Sequence, residues 1–242
     1  MQFMNQTSNA IASHLFRVRQ SIDDTAMRAG RNPDEIRLIA ISKTHSHEAV
    51  AAAISAGQRE FGESTTQEAL PKISRLANPS ITWHFVGHLQ TNKAKFIPRN
   101  FSWLHSLDNL NLARKLSRLA QDRSANINIL IEVNVTRDSK KHGVAPEALI
   151  DFIEQLTHEE LSALSLRGLM TIGPHGAPEK DIRQCFAKLR ELRDECCKRL
   201  ALADFTELSM GMSGDYAEAI KEGATMVRIG TAIFGERDYS QK

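Results

Sequence analysis

Arg37-Leu38-Ile39-Ala40-Ile41-Ser42-Lys43-Thr44 is the first strongly apolar stretch of the chain, and helix-start residues follow it at once. A short run of sheet-forming side chains bounded in this way is the pattern of a buried parallel strand entering a βα turn. The strand ends on a single amine. A lysine there points into a mouth or pocket, where desolvation can lower its pKa and make it a nucleophile toward carbonyls. A strand-end lysine that simply reaches water is the plainer reading, and on this stretch alone it has the advantage.

The same unit recurs outward from residue 43. A first helix is expected over about 8–28, with Ile11, Leu15, Val18 and Ile22 at helical spacing, closed by Gly30 and a turn at Asn32-Pro33. Strand–helix pairs then follow at 38–43 with 47–56, 60–62 with 66–76, 82–86 with 90–96, and 102–107 with 110–122. The second half repeats them at 127–134 with 146–156, 164–172 with 181–200, and 206–210 with 216–222; the strand 226–229 leads into a last helical or irregular segment. Ala53-Ile54-Ser55-Ala56-Gly57 and Ala219-Ile220-Lys221-Glu222-Gly223 are two helix ends closed by glycine before a strand. Repeated βα order implies a parallel sheet with right-handed crossovers. Eight such units in 242 residues, near the ~250 usual for this architecture, favour a closed barrel over an open sheet. The expectation is an α/β protein: a single-domain (β/α)8 TIM barrel over about 36–236 with an extra N-terminal helix, all within one domain, 1–242.

Composition narrows the function classes. The net charge of +2 supplies no field for nucleic acid or membrane, and basic residues are scattered without interleaved aromatics. Nothing approaches ~18 uninterrupted apolar residues, and residues 1–10 lack the order of a secretion signal. Cys185, Cys196 and Cys197 share one helical stretch without a CxxC spacing, so neither a disulfide framework nor a zinc site is expected. A cytoplasmic protein with reduced thiols follows as the expectation.

In barrels of this kind the chemistry sits at the C-terminal strand ends, and phosphate is often held by the loops after strands seven and eight. Met210-Gly211-Met212-Ser213-Gly214-Asp215 and Arg228-Ile229-Gly230-Thr231-Ala232 occupy those places. Glycines let backbone N–H groups approach an anion, and the hydroxyls of Ser213 and Thr231 add donors. Tight βα turns alone would explain one such loop; two in the phosphate position favour an anion site. Lys43, this cradle and Arg228 together suit a phosphorylated carbonyl compound. Either a sugar phosphate in a Schiff-base aldolase or pyridoxal 5′-phosphate (PLP) fits, and spacing does not choose between them.

Several motifs carry a resemblance. They are Ala40-Ile41-Ser42-Lys43-Thr44, Phe61-Gly62-Glu63, the run from Trp83 to Lys93, Arg167-Gly168-Leu169-Met170, Leu208-Ser209-Met210-Gly211-Met212-Ser213, and Val227-Arg228-Ile229-Gly230-Thr231-Ala232-Ile233-Phe234-Gly235. In this order, from the first strand to the C-terminus, the chain resembles the YggS/PROSC family of PLP homeostasis proteins. That family is similar to the barrel domain of alanine racemase, fold-type III of the PLP proteins. The resemblance implies Lys43 as the aldimine lysine, Ser213, Gly230 and Thr231 around the phosphate, Arg228 at the pyridine nitrogen and His84 beside the ring. A permanently protonated guanidinium discourages ring protonation, which weakens the cofactor as an electron sink. Many members follow Phe-Gly-Glu with Asn and often Tyr, whereas this chain has Ser64-Thr65, so position 64 receives no cofactor contact here.

Other residues draw plainer readings. His84 and His88 are spaced like a metal pair, yet they fall on a strand and its exit, so no metal site is expected. His45 and His47 are read as capping or solvating the turn after Lys43. Arg137 to Gly143 reads as a solvated charged loop, in which Lys141 matches a family lysine and offers a second amine near the mouth. Alanine racemases resembling this barrel add a C-terminal β-domain, and their partner subunit supplies a tyrosine. This chain stops at Lys242, its only tyrosines are Tyr216 and Tyr239, and no second acid/base is evident opposite Lys43. The expectation is a monomeric PLP carrier without catalytic residues, buffering PLP or delivering it to apo PLP-dependent enzymes. A small PLP-dependent amino-acid racemase is the alternative, and the aldolase a third reading.

Overall fold

The computed structural model describes residues 2–159 and 161–236; Tyr239 lies outside the described residues. Eight strands carry the architecture: β1 (Arg37–Ile41), β2 (Glu60–Glu63), β3 (Thr82–Phe85), β4 (Trp103–Leu107), β5 (Ile127–Glu132), β6 (Leu164–Met170), β7 (Glu207–Ser209) and β8 (Met226–Ile229). Each pairs in parallel with the next, and β8 returns to β1, with Leu38 opposite Val227 and Ile39 opposite Arg228, closing the barrel. Around it run α1 (Gln2–Arg28), α2 (His47–Ser55), α3 (Thr66–Leu76), α4 (Ile97–Asn100) and α5 (Leu110–Gln121). The second half adds α6 (Leu149–His158), α7 (Glu179–Leu200), α8 (Tyr216–Lys221) and α9 (Thr231–Phe234).

Side-chain caps fix the starts of α2, α3 and α5. Asn109 caps α5 by accepting from the Leu112 N–H at 2.8 Å, and Leu112, Ala113, Leu116 and Ala120 bury one face of that helix. Ile11, Leu15, Val18, Ile22 and Ala26 are the buried stripe of α1, which packs on α2, α8 and α9. The segment expected as a helix over 90–96 differs: Thr91–Phe96 is a 3-10 helix ahead of the four-residue α4. Pro98 has no N–H to offer the turn before it, and its ring excludes an uninterrupted α-helix there.

The apolar side chains of the strands divide by the alternation of the pleat. Leu38, Ala40, Phe61, Phe85, Leu104 and Ile129 pack outward with the helices into the main core. Inside the barrel, Ile39, Ile41, Trp103, Leu130, Met170 and Met226 form a separate small cluster. Polar side chains accompany it (buried His84, His105, Ser209 and Arg228 are linked there to half-buried Glu60), where branched aliphatics dominate most such barrels. Tight backbone passages accompany this filling. A Cβ on Gly168 would lie 2.0 Å from the Glu207 carbonyl oxygen of β7. Among the described residues, no helix is long and apolar enough to cross a membrane.

Candidate functional site

Lys43 leaves the end of β1 between two fixed peptides. On one side, Ser42 Oγ donates to Glu63 Oε1 at 2.6 Å, and Lys72 Nζ donates to the same oxygen at 2.8 Å and to the Ser42 carbonyl at 2.7 Å. Glu63 is fully buried; burial pushes its carboxyl up, against the pull of Lys72 and Ser42. On the other side, Thr44 sits in the left-handed region at φ 67° and donates its N–H to Glu68 Oε2 at 2.9 Å. The sharp exit from β1 therefore rests on a buried carboxylate and a second acid from α3.

Lys43 opens onto a cavity of about 560 Å³, within the range of small-molecule sites. Ser213, Arg228, Gly230 and Thr231 line the same cavity, so it brings together five of the six residues expected at a cofactor. A Cβ on Gly230 would approach the Ile41 carbonyl oxygen to 3.1 Å, and its absence lets the β8 turn lie against the strand that carries the amine. At Gly214 a Cβ would meet nothing within 4 Å; packing does not call for glycine there, and the bare backbone faces the cavity. Asp215 Oδ1 accepts from the Met212 N–H at 2.5 Å and braces this loop. Ile172 and Met212 are apolar and partly exposed at the rim. Lys141 Nζ donates to the carbonyls of Ile172 (3.2 Å) and Gly173 (3.0 Å), clamping that wall.

His84 is placed differently from the expectation. It is absent from the cavity lining, its ring is fully buried inside the barrel, and both of its nitrogens are engaged. The physical reason is register: His84 stands opposite Gly62, a layer below the mouth, and stacks on Trp103 with ring centroids 5.7 Å apart. Its connection to the cavity runs through Arg228. Arg228 Nη1 donates to Ser209 Oγ at 2.6 Å, and Nη2 donates to the Thr171 carbonyl at 2.9 Å. Ser209 Oγ meets His105 Nδ1 at 2.9 Å, His105 Nε2 meets His84 Nδ1 at 2.9 Å, and His84 Nε2 meets Glu60 Oε2 at 2.5 Å.

This ladder has a definite polarity. A guanidinium only donates, so Ser209 accepts from it and turns its own hydroxyl hydrogen to His105 Nδ1. His105 then donates through Nε2 to His84, and His84 donates through Nε2 to Glu60. Both rings are neutral in this arrangement, and burial indeed depresses them, His105 well below its ordinary value. Burial works to raise Glu60, but the His84 hydrogen bond and the charge of Arg37 hold it below its usual value. Burial pushes Arg228 down to about 10, which leaves it protonated at neutral pH; Glu132 and Asp215 act in the opposite direction.

Several groups in the cavity wall escaped the sequence reading. Ser64 lines the cavity although position 64 received no contact, and its carbonyl lies hard against Gly87, where a Cβ would come within 2.2 Å. His45 also lines it and stacks on Phe234 at 5.1 Å, while the cap of α2 is Ser46, not a histidine. His175 and Asp215 complete a set of acid/base groups around Lys43 that spacing did not disclose. Tyr216 donates its hydroxyl to Ser21 Oγ at 2.9 Å and does not line the cavity. His84 and His88 do not act as a pair: His88 stacks on His142 with centroids 3.6 Å apart. Burial pushes the Cys185 and Cys196 thiols up to about 11 and about 12, away from thiolate chemistry.

Comparison with known proteins gives a consistent result. A family model described as the alanine racemase N-terminal domain matches residues 14–238. The pyridoxal phosphate homeostasis protein of Escherichia coli is 40% identical over 238 residues, covering 97% of this chain and 100% of the relative. Its counterpart in Pseudomonas aeruginosa is 43% identical over 231 residues, covering 96% and 97%. The structure of PipY from Synechococcus elongatus with PLP bound superposes with a TM-score of 0.82 at 36% identity, covering 93% of this chain and 100% of that one.

Proposed function

Because this chain belongs to the YggS/PROSC family of pyridoxal phosphate homeostasis proteins, we propose that it holds PLP reversibly through Lys43 and buffers or delivers it. The carrying observation is the convergence of an amine, a guanidinium, two hydroxyls and an uncovered glycine backbone on one cavity. When bound, PLP supplies an aldehyde that condenses with a primary amine, losing water and creating a visible chromophore. Lys43 is the amine, held by its braced neighbours Ser42 and Thr44. Ser213, Thr231 and the backbone at Gly214 and Gly230 receive the phosphate. Arg228 faces the pyridine nitrogen and stays protonated, keeping the ring a poor electron sink. His84 acts from behind by fixing Arg228 through Ser209 and His105. The apo PLP-dependent enzymes of a cytoplasm are the recipients in this reading, and the carrier works as a monomer.

Purified protein should take up PLP and turn yellow, and Lys43→Ala should lose the visible band. Arg228→Glu and Ser213→Asp should each weaken retention. A protein that stays colourless with excess PLP refutes the reading; unchanged retention in both charge variants refutes the cradle. Delivery is tested by activation of an apo-enzyme mixed with the loaded protein in the presence of a scavenger of free PLP. A racemase reading keeps one point in its favour, since His45, His175 and Asp215 stand in the cavity wall as acid/base groups. Conversion of L-alanine to D-alanine that requires Lys43 would favour it over a carrier.

A further inference from the structure

His88, Asp108 and His142 come from three consecutive βα connections, after β3, β4 and β5, on the same end of the barrel as the cofactor cavity but outside its lining. Each offers one ligand atom, and the three atoms all lie within 4.8 Å of one another. The Asp108 carboxylate is the best enclosed of the three, with its side chain 12% exposed and Oδ2 3.7 Å from His88 Nδ1. Two imidazoles and one carboxylate form a donor set suited to zinc, nickel, cobalt or ferrous iron, with coordination positions left for water.

Hydrogen bonds hold the backbone beside both histidines and the carboxylate of Asp108. Gly87, beside His88, accepts from Ser106 Oγ at 2.5 Å and presses on the Ser64 carbonyl, which allows no side chain at position 87. Asn109 Nδ2 donates to Asp108 Oδ1 at 2.8 Å, occupying one carboxylate oxygen and leaving Oδ2 toward the histidines. That is the outer-shell hydrogen bond that orients a ligating carboxylate. On either side of His142, Asn134 Nδ2 donates to the Lys141 carbonyl at 3.3 Å, and Val144 N–H donates to the Glu132 carbonyl at 2.8 Å. The connections on which the three ligands sit are thus braced, while the two imidazoles themselves are exposed. We propose that His88, Asp108 and His142 form a divalent transition-metal site at the barrel mouth.

The two imidazoles lie face to face, 10° from parallel, so their in-plane lone pairs run side by side. Zinc binds these donors at about 2.0–2.2 Å, which in tetrahedral geometry places ligand atoms roughly 3.3–3.6 Å apart. The ion therefore draws the donors together and turns the two exposed rings about their side-chain torsions, without moving the braced backbone. Asp108 supplies the fixed corner.

The test is titration of Zn(II), and separately Ni(II), into untagged protein by isothermal calorimetry at about pH 7.5 in a non-chelating buffer. It is run on PLP-free and PLP-loaded protein, because the site needs no PLP and its outcome is independent of the proposed carrier function. The expected result is one saturable equivalent, with a melting temperature that rises with metal concentration. His142→Ala should lose at least ~10-fold in affinity, and His88→Ala with His142→Ala should lose binding altogether. Both side chains are exposed, so the double variant should keep the parent's melting temperature without metal. Co(II) should give a visible spectrum of nitrogen and oxygen ligation that vanishes in the double variant. Absence of saturable binding to the parent protein overturns the proposal, as does undiminished binding by the double variant.

Discussion

Ser209→Ala cuts the interior ladder at its most consequential link. The serine hydroxyl accepts from the Arg228 guanidinium at 2.6 Å and donates to His105 Nδ1, and Ser209 and His105 are fully buried. Alanine leaves one charged donor and one ring acceptor without that partner, in a place bulk water does not reach. A hydrogen bond to a charged group is worth about 1.5–3 kcal/mol and a neutral one about 0.5–1.5 kcal/mol, giving an expected loss of about 2–4.5 kcal/mol. Against a typical total of about 5–15 kcal/mol, that is a large share. Urea unfolding followed by circular dichroism at neutral pH measures it. PLP retention should fall in the same variant, because Arg228 keeps only its bond to the Thr171 carbonyl among those that aim it. The polarity argument makes a sharper demand: Glu60→Gln removes the anion at the far end, so the two substitutions act on one chain of bonds. Their combined effect should depart from the sum of the single effects by at least ~0.5 kcal/mol. A Ser209→Ala loss below ~0.5 kcal/mol, with additive behaviour beside Glu60→Gln, would refute a continuous ladder.

Lys72→Ala strands the fully buried Glu63 carboxylate beside a Ser42 hydroxyl and should cost about 3–5 kcal/mol in the same assay; a loss under ~1 kcal/mol would show that the brace behind Lys43 is dispensable. The depressed histidines His84 and His105 give a signed pH dependence. Unfolded chains take up these protons near the ordinary 6.5 and the folded barrel does not, so their stabilisation is complete above that value and drains away as pH falls toward the depressed folded values. The slope approaches about 1.4 kcal/mol per pH unit for each histidine, and it should flatten in His105→Leu; an identical slope in parent and variant would contradict neutral, buried rings.

The sequence carried the barrel because its signals are local. Apolar runs such as Leu38 to Ile41, turn glycines and one-faced helices such as α7 are properties of a few consecutive residues, and their order leaves few ways to close a parallel sheet. The cavity was legible to the extent that it lies at predictable strand ends, which placed Lys43, Ser213, Arg228, Gly230 and Thr231 in one wall. The 90–96 segment misled because a single proline acts on the turn before it, and periodicity does not register that.

By itself, then, the sequence determined eight βα units, the amine at the end of the first strand and the glycine turns after the last two. Each follows from the geometry of neighbouring residues. The tertiary structure alone decided where His84 goes, what Arg228 leans on, and that His88 meets Asp108 and His142. Those outcomes depend on register around a closed sheet, where a shift of one residue exchanges the barrel interior for the helix-packed face. Closure brings Ser209 to His105 across 104 positions of sequence, and in a low-dielectric interior a buried donor left without an acceptor is costly.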